Sequence, residues 1–240
     1  MKKDKGLAII TGASQGIGSV VAQGLAGDGY KVVLIARNRS NLEKVYTEIV
    51  RLNKDVPVPI VLPLDLTDHE KVDAEIRKIN RKEGKIDILV NAAAMFMDGS
   101  LNEPVEKYKK ILDINVVAQY AILKTVTDLM KTQQSGYVFN MVSRAAKYGF
   151  PEGGIYGSTK FAFLGLAESL YRELAPLGIR VTSLCPGWVN TDMAKEAGTP
   201  FKDDEMVQPE DLLLTIRYLL NLSPSVCIKD IVFEMKKSIL

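Results

Sequence analysis

The segment LAIITGASQGIG (residues 7–18) joins a short β-rich apolar run to three glycines, at positions 12, 16 and 18. A strand that turns straight into a helix needs such residues where backbone must come close to a pyrophosphate. The helix N-terminus then offers free N–H groups and a partial positive charge to the phosphates. No Gly-Lys-Ser/Thr closes the loop, so it is not a P-loop. Gly12, Ser14, Gln15, Gly16, Ile17 and Gly18 are therefore the candidate residues for the phosphate end of a dinucleotide site.

Working outward, KVVLIA (31–36), PIVLPL (59–64), IDILVN (86–91), YVFNMV (137–142), IRVTSLC (179–185) and KDIVFE (229–234) also read as strands. Helical spacing fills the intervals; Val72, Ile76 and Ile79, for example, fall at i, i+4 and i+7. Near-continuous apolar strands alternating with helices imply a parallel sheet covered on both faces. The expectation is a single α/β domain over residues 1–240, a doubly wound Rossmann fold of about seven parallel strands. Pro57, Pro59 and Pro63 place the third strand at an edge, because proline cannot donate to a ladder. The order 3-2-1-4-5-6 puts it there as well. The irregular segment at about 189–208 mixes Met, Gly, Pro and charge, as a substrate lid does.

The end of the second strand bears on the choice of dinucleotide. An NAD site places Asp or Glu there for the ribose 2′-OH. Here Ala36 stands in that place, followed by Arg37 and Arg39. Guanidinium pairs with a 2′-phosphate that a carboxylate would repel, so Arg37 points to NADP(H).

The totals exclude other classes. A net charge of +2 provides no footprint for nucleic acid. No apolar run reaches the ~18 residues of a membrane span, and the start is too short in apolar residues for a signal peptide. A cytoplasmic protein is expected. Lys2, Lys3, Lys5, Lys236 and Lys237 read as solvated termini. Cys185 and Cys227 read as buried free thiols, and the one histidine, His69, as a surface residue at a helix start. Nothing suggests a metal site.

GGIYGSTKFAF (153–163) sets Tyr156 and Lys160 four apart, on one face of a helix. Tyr120 and Lys124 share that spacing, so spacing alone does not distinguish them. Context does. TGASQGIG, Asp65-Leu66, NAAA (91–94), Asn115, Ser143, Tyr156-x-x-x-Lys160 and PGWVNT (186–191), in this order, closely resemble the short-chain dehydrogenase/reductase family.

The resemblance implies hydride transfer between a nicotinamide and a carbonyl or secondary alcohol. Tyr156 would be the general acid/base, acidified by Lys160, which would also hold the nicotinamide ribose. Ser143 would bind the substrate oxygen, and Asn115 would hold a water leading from Lys160 to solvent. Asp65 and Leu66 would meet the adenine, while Asn91, Ala92 and Ala93 would pass along the cofactor. Pro186, Gly187, Val189 and Thr191 would contact its nicotinamide half. The family's usual Asn-Asn-Ala-Gly departs here at Ala94.

The expected substrate wall is apolar: Met95, Phe96, Met97, Ala145, Ala146, Tyr148, Phe150, Trp188, Met193, Phe201 and Met206. Members that reduce 3-oxoacyl groups on acyl carrier protein are one candidate class, with Arg144, Lys147 and Arg172 available for an acidic carrier. A carbonyl or hydroxy-acid oxidoreductase of other specificity is a second, and a non-catalytic dinucleotide sensor a third. Val116, Val117, Ile122, Phe161, Phe163 and Leu164 exceed one helix face's needs; the family pairs such helices into homodimers or homotetramers.

Overall fold

Each apolar run becomes a parallel strand: β1 (Leu7–Thr11), β2 (Lys31–Ala36), β3 (Ile60–Pro63), β4 (Ile86–Asn91), β5 (Gly136–Met141), β6 (Ile179–Pro186) and β7 (Asp230–Phe233). They form one sheet in the order β3-β2-β1-β4-β5-β6-β7. The structure is a computed structural model and describes residues 5–52 and 56–239; Lys2 and Lys3 lie outside them. β3 is an edge, as its prolines require. Pro63 stands opposite Ala36. The next residue, Leu64, supplies the N–H that Ala36 O accepts, at 3.0 Å.

Alternate residues of each strand face opposite sides of the sheet. Ala8 and Ile10 pack with α1 (Gly16–Asp28), α2 (Arg39–Leu52) and α8 (Pro209–Asn221). Leu7 and Ile9 pack with α3 (His69–Glu83), α5 (Ala118–Gln133) and α6 (Gly154–Leu174). α4 (Val105–Leu112) runs into α5 through one π turn (Asp113–Val117). The segment 189–208 is closed at its base, where Val189 bridges Val207. Asn190 N–H donates to Val207 O (2.9 Å), and Val207 N–H to Trp188 O (3.0 Å). α7 (Asp192–Glu196) fills the excursion.

His69 is exposed on the first turn of α3, where Asp68 caps Lys71 N–H. Tyr120 is exposed, and Lys124 pairs along the helix with Asp128 at 3.0 Å. That pair is a surface feature, as context implied. Three expectations are corrected. Ile122 and Phe163 are fully packed in the core between sheet and helices, so they cannot serve an interface. Cys227 is only half-buried, because it lies in the loop before edge strand β7. Val116 and Leu164 are half-buried, leaving Val117 and Phe161 exposed.

Phe163→Ala is expected to cost about 3–5 kcal/mol of unfolding free energy in a urea titration, the usual loss for a buried aromatic. A loss below about 1 kcal/mol would mean that Phe163 is not in the core.

Candidate active site

The sheet order changes direction between β1 and β4, and their carboxyl ends part there, as ligand crevices in such folds require. The crevice opens a cavity of about 630 Å³.

Its phosphate end is shaped by what glycine lacks. Gly12 has φ 65°, and a Cβ on it would stand 2.9 Å from the Ala93 backbone. A Cβ on Gly18 would stand 2.2 Å from Gly12 O, so α1 packs against the turn with no room for a methyl. Ser14, Gln15, Gly16 and Ile17 line the cavity at the start of α1. The first turn holds no acidic residue and Gln15 makes no side-chain cap. The helix's positive end is thus left uncompensated.

Beside it, Ala36 and Arg37 line the cavity at the end of β2. Arg39 pairs with Glu43 at 3.3 Å, whereas Arg37 is exposed and makes no ion pair among the described residues. Asp65 Oδ1 accepts from Thr67 N–H (3.0 Å) and Oγ1 (2.9 Å). The Thr67 bonds, and after them the Arg37 charge, hold this carboxyl below its ordinary value. Leu66 lines the same wall.

The floor is organised by Thr11. Its Oγ1 accepts from Ala92 N–H (3.0 Å) and Ala93 N–H (3.1 Å), and donates to Asn91 Oδ1 (3.0 Å). Ala92, Ala93 and Ala94 line the cavity, and Ala94 carries no positive φ that would strain its methyl. Asn91 does not reach the cavity. Its side chain is buried in the sheet layer, committed to Thr11.

Asn115 is likewise behind the cavity wall. Its Oδ1 accepts from Met95 N–H (2.8 Å), and its Nδ2 donates to Met95 O (2.8 Å) and Thr159 Oγ1 (3.1 Å). Both amide hydrogens are spent. The side chain therefore clamps the post-β4 loop to α6, and holding a water does not fall to its amide hydrogens.

The start of α6 delivers Tyr156 and Lys160 to the cavity together, facing Ser143 after β5. Lys160 is 2% exposed; its Nζ donates to Met141 O at 3.3 Å and lies 5.6 Å from the centre of the Tyr156 ring. Ser143 Oγ accepts from Ala145 N–H (3.0 Å) and points its hydrogen at Pro186 O across a long 3.5 Å. Here the expected acidification is reversed. Burial pushes the Tyr156 hydroxyl up to about 12, opposed only by its hydrogen bond with Ser143. Burial also pulls Lys160 down to about 8. Desolvation dominates both shifts because both groups sit away from water.

The apolar wall is partly as expected. Met95, Phe96, Ala145, Tyr148, Phe150, Trp188 and Met193 line the cavity, and the Phe96 ring centre lies 5.1 Å from that of Tyr156. Met97 does not line it. Nor do Ala146 and Met206, which are buried in the core, or Phe201, which packs against it. Pro186, Gly187, Val189 and Thr191 complete the wall. The cations expected to await a carrier are engaged. Arg144 pairs with Glu234 and Lys147 with Asp230, both from the C-terminal segment, and Arg172 pairs with Glu168 at 3.7 Å.

Two residues outside the expected set, Thr11 and Gln119, also shape the site. Gln119 lines the cavity, and its Nε2 donates to Ala93 O (2.9 Å) and Ile114 O (3.0 Å). The signal was there: Asn115 and Gln119 are polar residues four apart that continue into the buried stripe of Ile122 and Val126.

A family model described as short chain dehydrogenase matches residues 6–200. An oxidoreductase of Staphylococcus saprophyticus is 32% identical over 94% of this chain and 95% of its own length. A crystal structure described as a betaketoacyl-[ACP] reductase (FabG) from Bacteroides thetaiotaomicron is 73% identical, with a TM-score of 0.90 over 99% of each chain. An alcohol dehydrogenase from the archaeon Thermococcus sibiricus, complexed with 5-hydroxy-NADP, is 29% identical with a TM-score of 0.85 over 96% of each chain.

The electrostatics make one lysine distinct. In NMR of lysines labelled at Cε, one resonance is expected to titrate near pH 8, charged below and neutral above, and to vanish in Lys160→Met. A midpoint at the ordinary 10.5 would refute the burial argument.

Proposed function

The chain belongs to the short chain dehydrogenase family, and from that premise we propose that it is an NADP(H)-dependent oxidoreductase reducing a carbonyl to a secondary alcohol. The observation that carries this reading is the meeting of Ser143, Tyr156 and Lys160 at one end of a cavity. The other end of that cavity offers a glycine cradle and the guanidinium of Arg37.

The residues fit the cofactor. The close approach at Gly12 and Gly18 and the uncapped start of α1 suit a pyrophosphate. Arg37, which makes no ion pair among the described residues, suits a 2′-phosphate, and Asp65 and Leu66 suit the adenine. The neighbour that carries 5-hydroxy-NADP supports the same choice. Bound NADPH supplies the hydride.

The chain's own groups then handle the oxygen. Tyr156, whose proton affinity burial raises, acts as the general acid in the reduction direction and gives its proton to the substrate oxygen. Ser143 turns its loosely held hydroxyl hydrogen from Pro186 O to the same oxygen, stabilising the charge that develops there. Lys160 uses one of its three donors on Met141 O, leaving two for the ribose hydroxyls and the phenol. Its positive charge also makes it less costly for Tyr156 to release the proton. Asn115 acts indirectly, by fixing Met95 and the start of α6.

Phe96, Trp188, Tyr148 and Met193 frame the substrate side, which suits an apolar carbonyl compound. Val189, Thr191, Met193 and Ala197 of the segment 189–208 line the cavity, which suits a substrate lid. The Bacteroides neighbour supports 3-oxoacyl thioesters as the first class to test. Exposed Val117, just before α5, Tyr120 and Phe161 support a homodimer or homotetramer through α5 and α6. The cytoplasm is the proposed setting, in keeping with two free thiols.

Tyr156→Phe should lower kcat by roughly 10²–10⁴-fold in an NADPH-absorbance assay with a 3-oxoacyl thioester, with NADPH affinity retained. Unchanged turnover would remove Tyr156 from the chemistry. Arg37→Ala should weaken NADPH by about tenfold or more while leaving NADH nearly untouched, the loss of one charge-assisted pair. Equal weakening of both would end the 2′-phosphate assignment.

A further inference from the structure

Three buried amides lie in one layer between the sheet and α5. Asn91 and Asn140 stand side by side in the β4–β5 register. Leu89 and Val138, two residues before each, belong to the core cluster that α5 covers, so both amides project to that side. Gln119 comes down from α5 to Ala93 O, two residues past Asn91. Their exposures are 1%, 0% and 2%.

All three are left incomplete. Asn91 Nδ2, Gln119 Oε1 and both polar atoms of Asn140 have no hydrogen-bond partner among the described residues. Rotating the amides does not remedy this. Thr11 Oγ1 already accepts two N–H groups, so its own hydrogen must go to Asn91 Oδ1, which turns Nδ2 away. Gln119 faces two carbonyls, Ala93 O and Ile114 O, so its Nε2 must face them and its Oε1 must point elsewhere. Asn140 lacks partners on both atoms and gains nothing from a flip.

The remainder is two amide donors and two carbonyl acceptors. Donors exclude a cation, and acceptors exclude an anion. A water molecule accepts two hydrogen bonds and donates two, and a buried water needs two to four polar partners. The geometry points to an internal water site formed by Asn91, Asn140 and Gln119, directly under the floor of the cofactor cavity.

The site has a task in the reaction proposed above. Asn140 immediately precedes Met141, whose carbonyl anchors Lys160. Asn91 immediately precedes Ala92 and Ala93, whose N–H groups Thr11 gathers. One hydrated node thus ties the ends of β4 and β5, and through them positions both the ribose lysine and the cavity floor. Asn140 and Gln119 are positioning residues. This role rests on the NADP(H) reading; the water site itself does not.

The test begins with the wild-type protein crystallised with NADPH at high resolution. A water within about 3.2 Å of Asn91 Nδ2, Asn140 and Gln119 Oε1 is expected; no solvent peak there overturns the site. Two variants then separate position from bulk stability. Asn140→Leu should raise the NADPH Kd about tenfold, the effect of one buried unsatisfied network. Asn140→Ser, which keeps a hydroxyl and room for the water, should restore near-wild-type affinity. If Asn140→Leu does not fold, Gln119→Met takes its place with the same expected loss. An unaltered Kd in a folded Asn140→Leu or Gln119→Met protein, with the water present in the wild type, overturns the positioning role. Absence of NADPH binding in the wild type would instead sink the cofactor reading and leave the density test standing.

Discussion

One hydroxyl at the end of β1 holds the cavity's geometry together. Where β1 and β4 part, their last backbone groups lose the ladder that satisfied them, and unpaired N–H groups are costly. Thr11 Oγ1 takes up two of these, on Ala92 and Ala93, and passes its own hydrogen to Asn91. The strand ends can therefore diverge without leaving the backbone unsatisfied. The glycines complete the opening from the other side, since the approach of Gly12 to Ala93 leaves no room for a Cβ. The pocket is in this sense a junction of backbone, held by a few polar side chains that never face the ligand.

The same economy governs the acid. Tyr156 and Lys160 sit four apart on one helix, yet their proton affinities are set by the walls around them. Burial raises one and lowers the other, so that around neutral pH the phenol is protonated and the amine is close to its own titration. A carbonyl oxygen that gains electron density is a stronger call on such a proton than water is. Asn115 and Thr159 keep the pair in place: Asn115 binds Thr159, and Thr159 Oγ1 donates to Tyr156 O at 2.8 Å.

The substrate mouth is tied from the far end of the chain. Glu234 and Asp230 engage Arg144 and Lys147, Lys237 reaches Glu205 of the segment 189–208 at 2.5 Å, and Trp188 N–H meets Met235 Sδ at 3.2 Å. Loops after β5 and β6 are thus braced by the segment around β7. Cations that look available in the sequence are already neutralised, and the mouth is defined mainly by aromatic surface.

Local chemistry determined a great deal on its own. Strand–turn–helix glycines, continuous apolar runs and an edge proline depend on backbone geometry within a few residues, so the strands themselves, the edge position of β3, the cradle at 12–18 and the face shared by Tyr156 and Lys160 could all be read directly. What only the tertiary structure decided concerns partners distant in the chain. Asn91 turned to Thr11, Asn115 to Met95, Gln119 to Ala93, and Arg144 to Glu234, because a buried or crowded polar group takes whichever complement the fold brings within reach. Ile122 and Phe163 went to the core for the same reason: periodicity shows that a helix has apolar residues to spare, but only packing shows which of them water has left.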